Sequence, residues 1–318
     1  MKKYARPIAL ILIAGASGVA AETYLRYRRD IGLARKRLRA GSQVTETACG
    51  PIEYVTRGEG PAVLVVHGAG GGYDQGLFIA RELLGEGFQV VAPSRFGYLR
   101  TPLPDDASPA AQADAHACLL DALEIPRAAV IGASAGAPSS MQFALRHADR
   151  CSSLVLLSAA TYGASRRAAH GTAASGFMVN VVLRSDFPTW LATKVARRRM
   201  IELLGVPRAV YSALSAQAKQ ELRSMMQSLL PMSSRRAGLL NDAAVVSSLD
   251  RYPLERIAAP TLVIAAADDP YGVFAACEYT AENIPGARFI SFDTGGHLLL
   301  GHEAEVRTEV GDFIRQHG

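Results

Sequence analysis

Ser134 lies in Gly132-Ala133-Ser134-Ala135-Gly136, directly after an apolar run that ends at Ile131. Glycines two residues to either side of a serine suit a turn so tight that side chains there would clash. Such a turn lifts the hydroxyl clear of the backbone and sets it at the positive end of the following helix. A hydroxyl so placed becomes a nucleophile once a neighbouring base takes its proton. His297, in Thr294-Gly295-Gly296-His297, is the candidate base. Asp268 and Asp269 are the candidate carboxylates to hold its imidazole in the useful tautomer. The other aspartate is expected to cap the next helix.

A second chemical feature is His67-Gly68-Ala69-Gly70-Gly71-Gly72, immediately after Val66. A glycine loop lets backbone N–H groups point into a site. With the N–H of Ala135, such donors would stabilise the oxyanion that develops during acyl transfer. The loop is no phosphate cradle, since it has no G-x-x-x-x-G-K-[ST] and no G-x-G-x-x-G opening a helix with an acid some 20 positions on. His67 is expected to be structural, and His302, inside the last helical pattern, is set aside.

These groups need a scaffold. From Gly50 onward strand and helix patterns alternate. Residues 52–56 alternate as a strand, and Ala62–Val66, Phe88–Ala92, Ala128–Ile131, Leu154–Leu157, Thr261–Ile264 and Arg288–Phe292 are runs suited to burial in a parallel sheet. Helical patterns lie at about 76–85, 108–124, 134–147, 272–284 and 302–316. The expected fold class is α/β, a mostly parallel central sheet flanked by helices. Active sites of such sheets lie beyond the carboxyl ends of the strands, where Ser134, the Asp pair and His297 all fall.

The chain resembles the α/β-hydrolase superfamily over about residues 50–318, minus an insertion. The resemblance rests on the His-Gly loop, the G-x-S-x-G turn, the acid turn and the terminal Gly-His. It implies a Ser-His-Asp hydrolase with Asp269 in the acid position, although Ala266 replaces the usual glycine and no Val-Pro follows. It also implies that Ala69 supplies the first oxyanion N–H, with Gly70 next in line. The stretch Val91 to Tyr98 resembles the family's strand end, with Ser94 where Asp is frequent. A serine nucleophile sets aside the dehalogenase and epoxide hydrolase branches, which use Asp. No metal or organic cofactor is implied.

The resemblance also implies a helical lid at residues 161–251, dividing the catalytic domain into 41–160 and 252–318. The segment reads as two helices, Phe187 to Leu204 and about Val206 to Leu230, punctuated by Pro188, Pro207 and Pro231. Phe177, Met178, Phe187, Trp190, Met225 and Met226 are candidates for an apolar pocket wall.

Charge is unevenly spread. Residues 1–40 carry ten Lys/Arg against two acids, and residues 161–258 carry fourteen against six. Nucleic acid is not indicated, because no finger, helix-turn-helix or RNP-type pattern accompanies the charge. The apolar stretch Ile8–Ala21 follows Lys2, Lys3 and Arg6. It reads as a single-pass anchor over Pro7–Leu25, close to the roughly 20 residues that a span needs, or as a cleaved signal peptide. Tyr24, Tyr27, Ile31, Ala34 and Leu38 then share one helical face amid seven basic residues, as in a helix lying on an anionic leaflet. The positive-inside rule places the folded domain in the cytoplasm, and signal cleavage would make it secreted or periplasmic. A basic lid beside a basic anchor would face lipid and receive a lipid-like or other small-molecule substrate.

Cys49, Cys118, Cys151 and Cys277 are widely spaced and read as buried apolar groups that demand no oxidising compartment. The leading function is hydrolysis of an ester, thioester or related carbonyl compound through an acyl-enzyme at Ser134. Aminopeptidase, carbon–carbon hydrolase and perhydrolase chemistry share that machinery. A non-catalytic ligand binder is the alternative of another class.

Overall fold

The computed structural model describes the backbone of residues 5–162 and 183–318, with side chains from residue 17 onward. Phe177 and Met178 lie outside the described residues.

Eight strands form one sheet: β1 (Gln43–Thr47), β2 (Gly50–Arg57), β3 (Ala62–Val66), β4 (Gln89–Pro93), β5 (Ala128–Ala133), β6 (Cys151–Leu157), β7 (Thr261–Ala266) and β8 (Arg288–Phe292). Their order across the sheet is β1-β2-β4-β3-β5-β6-β7-β8. The pairs from β4 through β8 are parallel, and the β1–β2 and β2–β4 pairs are antiparallel. β1 was not anticipated: as an exposed edge strand it carries no apolar run.

Helices α2 (Tyr73–Leu83), α3 (Pro109–Ala122) and α4 (Ala137–Arg146) follow β3, β4 and β5. The α/β fold class expected from the sequence is the observed one. Alternation along each strand builds two cores, because successive side chains leave opposite faces. Leu64, Val130, Leu154 and Val263 pack with Ala113, Met141 and Phe143 of α3 and α4. Val63, Ile131, Val155 and Ile264 pack with Ala80 of α2 on the other face. Ser108 starts α3 by accepting from Ala111 N at 3.2 Å, and Pro109 occupies the first turn.

Between β6 and β7 the described residues form α5 (Asp186–Val195), α6 (Arg197–Glu202), α7 (Arg208–Ala213), α8 (Ala216–Ser228) and α9 (Arg236–Ser247). The two long helices expected here are therefore broken into shorter ones. Ala196 leaves helical geometry, Gly205 takes φ +78°, and Ser215 caps α8 by accepting from Ala218 N at 3.1 Å. Helices α10 (Phe274–Asn283) and α11 (Glu303–His317) complete the body.

The N-terminal helix α1 (Ala5–Ala40) bears on the anchor expected there. Among the described residues no helix is long and apolar enough to cross a membrane, so the single-pass anchor is not supported. Most of the apolar stretch 8–21 lies outside the described side chains. Part of the amphipathic stripe meets protein: Ile31 and Ala34 pack with Trp190 and Leu230, and Tyr27 meets Phe187 and Trp190 edge-on, while Tyr24 stays exposed. Asp30 accepts from Trp190 Nε1 at 3.0 Å, and Arg35 pairs with buried Asp186 at 3.1 Å. Trp190 thus packs against α1 and lines no such wall, whereas Phe187 lines a cavity that it shares with Tyr27, Ile31 and Arg35 of α1.

The cysteine reading also needs correction. Cys151 and Cys277 are buried thiols that burial pushes up to about 12, but Cys49 and Cys118 form a disulfide. It ties the β1–β2 turn to α3 across 69 residues of sequence, a separation that no local motif announces. Disulfides persist in oxidising compartments, which opposes the cytoplasmic placement drawn from charge. Closing a loop of this length removes chain entropy from the unfolded state worth about 4 kcal/mol. Reduction is expected to lower the thermal midpoint by several degrees in a calorimetric scan. The Cys49→Ser variant should start at the lower value and ignore reductant.

Candidate functional site

β5 runs buried to Ala133, and the chain then turns at once through a 3₁₀ turn, Ser134–Gly136, into α4. Ser134 holds φ +48°, a left-handed conformation that is costly for a residue with a side chain. The flanking glycines are required sterically. A Cβ on Gly132 would lie 2.6 Å from Ser140 Oγ, and one on Gly136 would lie 2.6 Å from the carbonyl oxygens of Val66 and His67. Ala160 N, beyond the end of β6, donates to Ser134 O at 3.1 Å and fixes the turn from the other side.

His297 lies beyond β8, on a turn that Gly295 and Gly296 enter with φ +134° and +63°. Asp268 Oδ1 accepts from Gly296 N at 2.7 Å, and Gly205 O accepts from His297 N at 2.9 Å. Asp268 therefore anchors the histidine turn and does not cap a helix, contrary to expectation. Gly205 could carry no side chain, since its Cβ would lie 2.4 Å from that of His297. The insertion thus meets His297 at its backbone N–H.

The structure brings Ser134, His297 and Asp269 together. Ser134 Oγ lies 2.8 Å from His297 Nε2, and His297 Nδ1 lies 2.7 Å from Asp269 Oδ2. The imidazole side chain is 10% exposed and the carboxylate fully enclosed. An acceptor-only carboxylate at Nδ1 assigns the proton to that nitrogen, leaving Nε2 to accept from the serine hydroxyl. Asp269 Oδ1 takes Tyr271 N at 2.8 Å, so both of its oxygens are engaged. The Tyr271 ring meets the imidazole edge-on at 4.7 Å. Burial and the Asp269 carboxylate hold the Tyr271 phenol above its ordinary range.

The glycine loop borders Ser134, and a Cβ on Gly68 would lie 3.1 Å from Ser134 Cβ. Gly68 N donates to Gln75 Oε1 at 2.8 Å. Ala69 is exposed, and its N–H has no partner among the described residues. Gly70, expected as the next oxyanion donor, instead donates to Tyr98 Oη at 3.1 Å. Ala135 follows Ser134 in the turn. His67 is buried, with Nδ1 2.7 Å from Gly68 O and Nε2 accepting from Arg95 N at 3.0 Å. Burial, reinforced by Arg95, holds it well below the usual histidine range, so it remains a neutral strut. His302 stacks on Phe292 and lies 3.0 Å from Thr294 O, away from the serine.

Two buried ion pairs that sequence reasoning missed join the insertion to this loop. Arg95 meets Asp242 of α9 through two bonds of 2.7 Å, and its Nε donates to His67 O at 2.8 Å. Arg235, just before α9, meets Asp74 of α2 at 3.0 and 2.7 Å and also donates to Gly71 O. The only hint in the sequence is that Asp242 is one of few acids in a basic segment. Among the described residues no three His, Cys, Asp or Glu side chains gather where they could hold a metal ion.

Residues 61–304 match the family model described as alpha/beta hydrolase fold. A Bacillus subtilis protein described as an uncharacterized hydrolase, YcgS, is 28% identical over 83% of this chain and 94% of its own length. The 2-hydroxy-6-oxo-6-phenylhexa-2,4-dienoate hydrolase of Comamonas testosteroni is 26% identical over 83% of this chain and 91% of its own. The solved structure of an alpha/beta hydrolase fold protein from Nakamurella multipartita superimposes with TM-score 0.68 at 30% identity, covering 87% of this chain and all of that one. With a family match over most of its length and the sheet order and serine turn described above, this chain belongs to the α/β-hydrolase family.

Proposed function

We propose that the protein is a serine hydrolase that cleaves an ester, thioester or related carbonyl compound through an acyl-enzyme at Ser134. The observation that carries this reading is the unbroken hydrogen-bond chain from Ser134 Oγ through His297 to enclosed Asp269. In the proposed cycle His297 Nε2 takes the serine proton as Oγ attacks the carbonyl carbon, and Asp269 stabilises the imidazolium. The N–H groups of Ala69 and Ala135 receive the oxyanion. Collapse breaks the bond to the leaving group, which departs with the proton from His297. Water, activated by the same imidazole, then releases the acid and restores the serine.

Leu229 and Leu239, both from the insertion, each bring a Cδ2 atom to 3.8 Å from a Cβ built on Gly70. In this reading they roof the glycine loop and favour an apolar acyl group, which gives the insertion the role of a lid. Carbon–carbon bond hydrolysis is the second reading, favoured by the likeness to the Comamonas enzyme. A panel of p-nitrophenyl and thioester substrates against a vinylogous diketone separates the two.

A fluorophosphonate probe is expected to label the wild type and to fail on Ser134→Ala and His297→Ala. Labelling that survives Ser134→Ala sinks the proposal. Asp269→Asn keeps the shape but spoils the tautomer, and kcat should fall by about 10⁴-fold. Asp268→Asn keeps an oxygen for Gly296 N, so its rate should stay within about tenfold of wild type, because only a backbone contact is altered. Steady-state kinetics on the two variants tests this assignment of the pair.

A further inference from the structure

Asp242 of the insertion closes a ring of hydrogen bonds around the glycine loop. Its Oδ2 accepts from Tyr98 Oη at 2.5 Å, and the same phenol oxygen accepts from Gly70 N at 3.1 Å. Both of its oxygens take the Arg95 guanidinium, whose Nε holds His67 O. The segment from His67 to Gly70 is therefore gripped at both ends by groups that meet on one carboxylate. Between the grips, Gly68 N is held by Gln75, and Ala69 N–H has no partner among the described residues.

Resting on the serine-hydrolase reading, we infer that Tyr98 and Asp242 are positioning residues for oxyanion binding: they hold Gly70 N–H aside and present Ala69 N–H, with Ala135 N–H, to the reacting carbonyl oxygen. The inference gives a structural reason for the donor order, Ala69 before Gly70, that the family resemblance implies. It also assigns a task to the insertion beyond covering the site, because the carboxylate that orders the loop belongs to it.

The burial pattern suits such a device. Tyr98 is fully buried and Arg95 and Asp242 are 6% exposed, so water competes little for these bonds. The Tyr98 ring occupies a slot that only glycine leaves open, since a Cβ on Gly238 would lie 2.1 Å from its Cδ2. Gly238 N donates to Gly97 O at 2.9 Å and locks α9 to the turn that carries Tyr98. Burial and Asp242 keep the phenol well above its ordinary range, so it remains a protonated donor. An oxyanion donor works by being in place before charge develops, and misplacing one costs far more in the transition state than in the ground state.

Tyr98→Phe removes one oxygen and leaves the ring in its slot. With p-nitrophenyl acetate, kcat is expected to fall about 10- to 100-fold, with KM within about twofold of wild type, as for partial loss of an oxyanion donor. The inhibition constant of phenylboronic acid, whose serine adduct is a tetrahedral anion, should rise by the same factor as kcat falls. A purely structural role would not link those two numbers while sparing KM. Asp242→Glu, which keeps the charge that Arg95 needs but shifts the acceptor from Tyr98, should show the same split to a smaller degree, and it carries the test if Tyr98→Phe does not fold. A folded Tyr98→Phe enzyme with wild-type or higher kcat and unchanged boronate affinity overturns the inference. Failure of the underlying reading is distinct: the wild type itself would then neither label at Ser134 nor bind the boronate.

Discussion

Arg95 and Arg235 are both almost wholly buried, and a guanidinium removed from water is tolerated only where carboxylates and carbonyls replace its hydration. That constraint governs the half of this molecule that carries the candidate site. Arg95 belongs to the body and finds its carboxylate in the insertion; Arg235 belongs to the insertion and finds its carboxylate in the body. Each also binds a carbonyl of the glycine loop. Removing one partner of such a pair would leave an uncompensated buried charge, a loss of about 3–5 kcal/mol. The insertion and the loop beside Ser134 therefore behave as one packed unit, and the region around Asp242 is part of the candidate site's foundation.

The serine turn answers to a different constraint. β5 lies between β3 and β6, so the chain leaving it has neighbours on both sides and must rise abruptly to enter α4. The missing side chains of Gly132 and Gly136 make room for that rise. His297 reaches the same rim from β8, three strands along the sheet, and Asp269 comes from the end of β7. Parallel strands place their carboxyl ends on one side, which is why groups separated by 163 residues of sequence meet within hydrogen-bond distance.

The N-terminal helix shows how a pattern can be read correctly while its protein partner stays hidden. The spacing of Tyr27, Ile31, Ala34 and Leu38 identifies a helix with one apolar face, and periodicity says nothing about what that face meets. In the fold it meets Trp190 and Leu230, while Arg35 beside it finds Asp186 and Arg37 finds the carbonyls of Ser228 and Leu230. A basic flank suggests lipid only while its counter-charges are unknown. The Cys49–Cys118 disulfide carries the same lesson for thiols, since its two halves become neighbours only when α3 packs beside the first hairpin.

Features encoded within a few residues were legible from the chain alone. The apolar runs of β3, β5, β6 and β7, the G-x-S-x-G turn and the glycine loop are local consequences of backbone sterics and burial, so the α/β class and the position of Ser134 followed from them. Asp269 and Asp268 differ by one position and both end up engaged with the histidine turn, so only the family resemblance, and not residue type, favoured Asp269 as the imidazole's partner. The Tyr98–Asp242 contact joins residues 144 apart, and the Arg235–Asp74 pair joins residues 161 apart. Such partners are chosen by which elements pack together, because a buried charge takes whatever complementary group the packing delivers. Local sterics and periodicity are written in the sequence directly; the partner of each buried charge exists only once the chain has closed around it.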